Sequence, residues 1–264
     1  GNGGPTSADT FLQSNQIDGQ LGTSVAGAGD VNGDGYDDLL VGARVMNLGT
    51  PQEGGVFLYF GGASGVPSEI TISSGPTILQ QDQALAFFGT SVAGVGDVNG
   101  DGYSDVVASA PGYNGIGAAF VYLGQARGLQ GFPKPDTVTR SGQAESGFGS
   151  VAGAGDVNAD GYADIIVGAG SYDAGQTNEG AAFIFHGGPN GIPVGDPSVA
   201  ATFLQGNQAG AFFGLSVAGA GDVNSDGYAD VVVGSNWTSG QPAEGAAFVF
   251  HGGPSGIANG SPAT

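Results

Sequence analysis

The chain alternates short apolar runs with polar turns, and no stretch keeps the spacing of an amphipathic helix. One segment shows the texture. Gly89 to Gly96 is built of small residues, Asp97 to Asp105 is an acidic turn, and Asp105 to Ala110 runs almost entirely apolar. A Gly/Pro-rich loop follows, then Gly117 to Gly124 with aromatics at alternate positions (Phe120, Tyr122), a second such loop, and the β-branched stretch Thr137 to Arg140. Short runs rich in Val, Ile, Phe and Tyr between clusters of Gly, Pro, Asn and Asp are strand signals. This segment therefore predicts four strands.

The texture recurs. Ser-Val-Ala-Gly-x-Gly-Asp-Val-Asn-x-Asp-Gly-Tyr-x-Asp begins at Ser24, Ser91, Ser150 and Ser216, and its leading aspartates, Asp30, Asp97, Asp156 and Asp222, lie 67, 59 and 66 residues apart. Four-stranded units at even spacing predict an all-β fold: a β-propeller of four blades, each with four antiparallel strands. The units fall at about 14–81, 82–140, 141–205 and 206–264 plus 9–13 of a single domain spanning 1–264. Ser91, Ala93 and Gly94 suit innermost strands that crowd one another near the axis. Phe57 and Tyr59, Phe120 and Tyr122, Phe183 and Phe185, and Phe248 and Phe250 alternate at period two and are expected between blades.

Asp9-Thr10-Phe11-Leu12-Gln13 matches Ala201-Thr202-Phe203-Leu204-Gln205, and the last unit has no such strand of its own. The N-terminal strand is thus expected to complete the last blade, which removes two open edges. A closed four-bladed monomer, a homodimer forming an eight-bladed ring and a fragment of a longer array all fit this pattern, the first being preferred.

Glycine (55) and proline (13) make up about a quarter of the chain, a level that means turn-rich β structure once a period is present. Four basic against 24 acidic residues, net −20, exclude nucleic acid as a partner and favour cations. No apolar run of about 18 residues offers direct membrane insertion, and the absence of cysteine removes disulfides and thiolate sites. Enzyme signatures are missing as well. Lys134 is the single lysine and follows no phosphate-binding loop, and no serine nucleophile motif has a credible triad. His186 and His251 stand where other copies have Phe60 and Leu123, a packing or edge position.

Phe-Gly, then Ser-Val-Ala-Gly-x-Gly-Asp, then the acidic turn, then Val-Gly-Ala-Pro resembles the FG-GAP repeat of the integrin α-subunit head. Phe88-Gly89 and Phe213-Gly214 carry the first element, Leu21-Gly22 replaces it in the first copy, and Ala110-Pro111 is the intact Ala-Pro. The third copy departs from the others, because Phe148 precedes Asp156 by eight residues whereas Phe88 precedes Asp97 by nine. One residue flips a strand to its other face, so a bulge or altered packing is expected at Phe148. The resemblance implies a propeller, usually of seven blades, that recognises proteins or mediates adhesion through variable loops on one rim. Here these are Val45 to Glu53, Gly112 to Gly115, Ser171 to Glu179 and Asn236 to Glu244.

Each acidic turn reads Asp-x-Asn-x-Asp-Gly-Tyr-x-Asp. Oxygen-bearing side chains at positions 1, 3 and 5 of a tight turn, with glycine at 6 and a main-chain carbonyl at 7, encircle Ca²⁺ in EF-hand-like loops. The resemblance implies that Asp at position 9 is the last ligand. The candidate metal residues are then Asp30, Asn32, Asp34, Tyr36 and Asp38; Asp97, Asn99, Asp101, Tyr103 and Asp105; Asp156, Asn158, Asp160, Tyr162 and Asp164; and Asp222, Asn224, Asp226, Tyr228 and Asp230. About four Ca²⁺ ions are expected, in a structural role. They would offset the repulsion among 12 of the 24 acids.

These readings converge on a calcium-binding, non-catalytic propeller acting as an extracellular or cell-surface binding or adhesion scaffold, with a protein or glycan ligand on the rim. A lectin-like or accessory module of a larger secreted enzyme, and a structural repeat of a surface assembly, are the alternatives. For a lectin, Trp237 and Tyr172 are the aromatics placed to stack on a sugar.

Overall fold

The computed structural model describes residues 8–66, 75–129, 133–241 and 244–262. Within these, each repeat forms one antiparallel sheet. The first is β1 (Ser24–Gly29), β2 (Asp38–Ala43), β3 (Gly55–Tyr59) and β4 (Thr77–Leu79); the second is β5 (Val92–Gly96), β6 (Asp105–Ala110), β7 (Ala118–Tyr122) and β8 (Thr137–Arg140). The third is β9 (Phe148–Gly155), β10 (Asp164–Ala169), β11 (Ala181–Phe185) and β12 (Thr202–Gln205). The fourth contains β13 (Ser216–Gly221), β14 (Asp230–Ser235) and β15 (Ala246–Phe250). Every sheet is a simple meander in chain order, as β-propeller blades are.

Successive blades stack face to face, with β1, β5, β9 and β13 in series along the inner edge. Small residues permit this. A Cβ on Gly94 would stand 2.5 Å from the Gly27 carbonyl oxygen, and one on Gly219 would stand 2.6 Å from that of Gly153. The apolar seams lie between blades. Leu40, Val56 and Leu58 of blade 1 meet Val106, Phe120 and Tyr122 of blade 2, and Val107 and Val121 of blade 2 meet Ile165, Phe183 and Phe185 of blade 3. Phe120, Tyr122, Phe183 and Phe185 therefore fill the inter-blade space as their period-two spacing requires, whereas Phe57 and Tyr59, expected there as well, pack on Met46, Leu12 and Leu21 on the face of blade 1 away from blade 2. Phe248 and Phe250 pack against blade 3 but stay half-buried.

The shortened third copy carries the expected irregularity. Gly168 pairs with Ser150 but Ala169 pairs with Phe148, so Gly149 is bulged out and Phe148 regains the buried side. In copies two and four Phe88 and Phe213 are held by bridges to Gly54 and Gly180 of the preceding blade.

The N-terminal segment 9–13 lies against blade 1. Thr10 donates its hydroxyl to the Val66 carbonyl at 2.7 Å, and Leu12 packs on the cluster around Val41, Phe57 and Tyr59. Thr77, Thr137 and Thr202, on the outer strands of blades 1 to 3, make the same bond to Leu129, Ile192 and Ile257 of the following blade. The segment thus stands beside blade 1 in the way an outer strand of a preceding blade would, which is the side where a completed last blade would sit. The blade of β13, β14 and β15 has three strands among the described residues.

Gly155 and Gly221 test the blade contact. Both have positive φ, +76° and +69°, but a Cβ on Gly155 meets Ala229 Cβ of the next blade at 2.7 Å whereas one on Gly221 meets nothing. Gly155→Ala and Gly221→Ala share a backbone cost of about 1 kcal/mol. Gly155→Ala is expected to lose a further ~1–3 kcal/mol by overpacking, measured by chemical denaturation; equal losses would contradict the contact.

Candidate metal centre and rim

The acidic turns connect the first and second strands of each blade and share their hydrogen bonds from the N–H groups of positions 5, 6 and 7, the position 4 bond being made by Gly33 and Gly100. In blade 1 the Asp30 carboxylate accepts from the N–H groups of Gly33 (2.7 Å), Asp34 (3.1 Å) and Gly35 (2.8 Å). Asp34 accepts from Tyr36 N–H at 3.0 Å, and Asn32 bridges to Asp34 through both ends of its amide. The corresponding bonds of Asp97, Asp156 and Asp222 to position 6 are 2.8, 2.8 and 2.9 Å. Position 6 is glycine because its φ lies at +88° to +93° in all four turns. Position 4 also has positive φ, and there Ala159 and Ser225 replace Gly33 and Gly100.

Asp at position 9 differs from the other two. Asp38, Asp105, Asp164 and Asp230 are buried. Each accepts from position 2 of its turn and from the second residue past the third strand: Val31 and Gly61, Val98 and Gly124, Val157 and Gly187, Val223 and Gly252. It pins the turn to the blade. Burial pushes the Asp105 carboxyl up to about 7, against the pull of the Gly124 and Val98 N–H groups and reinforced by the charges of Asp101 and Asp97. Asp38 and Asp164 are raised for the same leading reason. Asp230 is the exception. Its burial also acts upward, but the N–H groups of Gly252 and Val223 and the nearby His251 ring, 3.3 Å away, bring it below the usual range.

Among the described residues no three His, Asp or Glu side chains gather tightly enough to hold an ion by themselves. The donor set of each turn nevertheless suits a hard cation. It is all oxygen, it sets a buried carboxylate beside two others, and the nearby N–H groups supply only partial compensation. Asp, Asn and the position 7 carbonyl would supply the oxygens for a cation that ties the turn together.

The turns also join one blade to the next. The position 8 N–H groups of Ser104, Ala163 and Ala229 donate to the carbonyls of Asp30, Asp97 and Asp156 of the preceding turn at 3.0, 2.9 and 3.0 Å. Gln125, Gly188 and Gly253 donate likewise to Val31, Val98 and Val157. The rings of Tyr103 and Tyr162 close over Gly33 and Gly100 of the preceding turns, so these tyrosines also pack across blades. His186 contacts the Asn158 amide at 3.2 Å, placing this histidine beside an acidic turn as well as at a strand end.

The variable loops are held by two sets of residues that the motif pattern does not mark. Gln16, Gln143 and Gln208 each clasp one main-chain residue of a loop about 30 positions on, donating to its carbonyl and accepting from its N–H: Asn47, Asp173 and Thr238. Gln83 divides the same bonds between Asn114 and Gly112. All four glutamines lie five residues before the Phe-Gly position, a period that was available in the sequence. Glutamates close three of the loops. Buried Glu53 accepts from Leu48 and Thr50, buried Glu179 from Ala174, Gln176 and Asn207, and exposed Glu244 from Ser239 and Gly240. The Ser239 and Gly240 bonds hold the Glu244 carboxyl down at about 2. Residues 242 and 243 of the fourth loop lie outside the described residues. The ring of Trp237 packs edge-on against Phe248 and that of Tyr172 against Phe183, the place Tyr113 takes against Phe120.

These features define a repeat propeller whose acidic turns sit at blade junctions. A family model described as FG-GAP repeat matches residues 21–63, 88–122, 148–185 and 213–250, and the chain belongs to the FG-GAP repeat family. Among curated proteins it is 39% identical to integrin alpha-IIb of Mus musculus over 60% of this chain and 16% of the relative. It is 42% identical to integrin alpha-6 of Gallus gallus over 56% and 13%, and 30% identical to integrin alpha pat-2 of Caenorhabditis briggsae over 89% and 19%. The matched region spans less than a fifth of each of these relatives. No helix among the described residues is long and apolar enough to cross a membrane.

Two outcomes follow from this geometry. Because folded Asp105 holds its proton up to about pH 7 while the unfolded chain releases it near pH ~4, the stability it contributes in acid is lost as pH rises through about 7. In EDTA the melting temperature should fall from about pH 5 to about pH 8 and Asp105→Asn should flatten the slope; a flat wild-type profile would contradict it. Glu179→Gln turns a donor toward N–H groups and is expected to cost about 1–3 kcal/mol, with faster amide exchange at Ala174 and Gln176. Unchanged exchange there would show that Glu179 does not hold the loop.

Proposed function

We propose that the chain is a calcium-stabilised, non-catalytic scaffold that presents its rim loops to a protein ligand outside the cell. The observation that carries this is the acidic turn itself, an all-oxygen set with a buried position 9 carboxylate repeated four times at the blade junctions. The twenty residues named above are the proposed ligands, and one Ca²⁺ per turn would bring the net charge from −20 to −12. The ion supplies charge compensation and cross-linking. For Kd ~10⁻⁴ M in ~1 mM calcium, each site adds about 1.4 kcal/mol.

The rim supports the binding half of the reading. Its loops differ between copies while glutamine and glutamate clasps hold their backbones, an arrangement that lets side chains change on a fixed frame. Integrin alpha names among the relatives agree with adhesion at a cell surface. Trp237 and Tyr172 are used in packing, which favours a protein ligand over stacking on a sugar.

Equilibrium dialysis followed by metal analysis tests the reading. About four Ca²⁺ per chain are expected, and about three for Asp164→Asn, with a matching fall in melting temperature on chelation. No bound metal in millimolar calcium would overturn it.

A further inference from the structure

The segment that leads into the Phe-Gly position of each copy passes through two left-handed residues on the rim. Four places before the glycine of that position stand Asp18, Leu85, Glu145 and Gly210, with φ from +55° to +72°. Two places before it stand Gln20, Phe87, Gly147 and Phe212, with φ from +49° to +68°. Glycine suits both places and fills each of them in one copy, whereas an L side chain there is strained. Leu85 and Phe87 put bulky apolar side chains at both places of the same copy. Burial does not explain them. Leu85 is 54% exposed, Phe87 is half-buried, and neither is part of the apolar seams between blades. Strained residues of this kind collect where a chain clamps a ligand.

Arg44 completes the patch. Its guanidinium lies over the Phe87 ring, 5.5 Å from the centroid. It is exposed, and among the described residues it has neither an ion pair nor a side-chain hydrogen bond, in a chain with 24 acidic residues against four basic ones. The frame beneath is fixed. Leu85 and Phe87 donate their N–H groups to the carbonyls of Pro51 and Gln52 in the first rim loop, at 2.9 and 3.3 Å. Gly112 of the second loop backs the ring, since a Cβ there would stand 3.1 Å from Phe87 Cδ2. The other copies do not repeat the pair. Pro111, Gly170 and Asn236 occupy the place of Arg44, so Phe212 of blade 4 has Gly170 where Phe87 has Arg44.

We propose that Arg44, Leu85 and Phe87 anchor the ligand on the rim: the guanidinium takes one carboxylate side chain of a protein segment, and a neighbouring apolar side chain of that segment lies on Leu85 and Phe87. This rests on the rim reading above and names the chemistry it recognises. A guanidinium stacked on an aromatic face keeps its N–H edge free and oriented, and that edge matches a carboxylate. Arginine beside exposed aromatic and apolar side chains is also the composition of interface anchors. The net charge of −20 repels a strongly acidic partner, so the segment that fits carries its carboxylate in an otherwise neutral or basic stretch.

Amide chemical shifts of the calcium-loaded protein, titrated with the blocked tetrapeptide acetyl-Gly-Phe-Glu-Gly-amide and with its Gln counterpart, test the proposal. The Glu peptide is expected to shift Arg44, Leu85 and Phe87 at millimolar concentration, and the Gln peptide to bind about tenfold more weakly. Arg44→Gln is expected to abolish the difference between the two peptides. Phe87→Gly, which suits the left-handed backbone, is expected to weaken both while the rest of the amide spectrum stays that of the folded wild type. A Glu peptide that binds no better than the Gln peptide, or a preference that survives Arg44→Gln, would overturn the proposal. Shifts confined to other loops, such as those at Asp173 and Thr238, would overturn it while leaving the rim as the binding face. No shift anywhere on the rim would count against both.

Discussion

The structure depends on a main-chain bond between neighbouring acidic turns. The N–H at position 8 of one turn donates to the carbonyl of the leading aspartate of the turn before it. That aspartate's side chain meanwhile gathers the amides of its own turn. The conformation of one turn therefore sets the position of the acceptor for the next, and the blade stack inherits whatever order the turns possess. A turn rich in glycine and aspartate is a poor source of order by itself, since glycine loses the most freedom on folding and the carboxylates repel. A cation held by those carboxylates, as proposed above, would answer both costs at the place where blades are joined.

The position 9 aspartates show how the joint and the electrostatics depend on each other. Asp38, Asp105 and Asp164 each lie beneath a following blade and have raised carboxyl pKa values, whereas Asp230, with no following blade among the described residues and with the Gly252 and Val223 N–H groups and the His251 ring beside it, is lowered. Stacking the next blade removes water from the carboxylate beneath it. Stacking is thus favourable for the apolar seam and unfavourable for the buried charge, and the proposed cation would shift that balance toward stacking.

Much of this was legible in the side-chain pattern. Apolar runs bounded by turn residues placed the strands, and the deletion before Ser150 foretold the bulge at Gly149 because a strand has a period of two. The cross-blade joint was not legible. Position 8 reads Asp37, Ser104, Ala163 and Ala229 and looks unconstrained, since its work is done by the main-chain N–H and a side chain small enough to sit near a glycine of the preceding turn. Gln16, Gln83, Gln143 and Gln208 kept their spacing but stood among other polar loop residues, where only the three-dimensional reach to a loop some 30 positions on reveals a role. Trp237 was open between stacking on a ligand and packing, and the contact with Phe248 assigns it to packing.

The most direct test of the central claim is amide hydrogen exchange at the position 8 N–H groups of Ser104, Ala163 and Ala229, followed with and without calcium. If ordered turns hold the blades together, these three amides exchange slowly in calcium and together become fast after chelation, before the strand centres of β6, β10 and β14 lose protection. If they exchange at the same rate in both conditions, or only when the strands themselves open, the turns do not govern the joints between blades and the account is wrong at its centre.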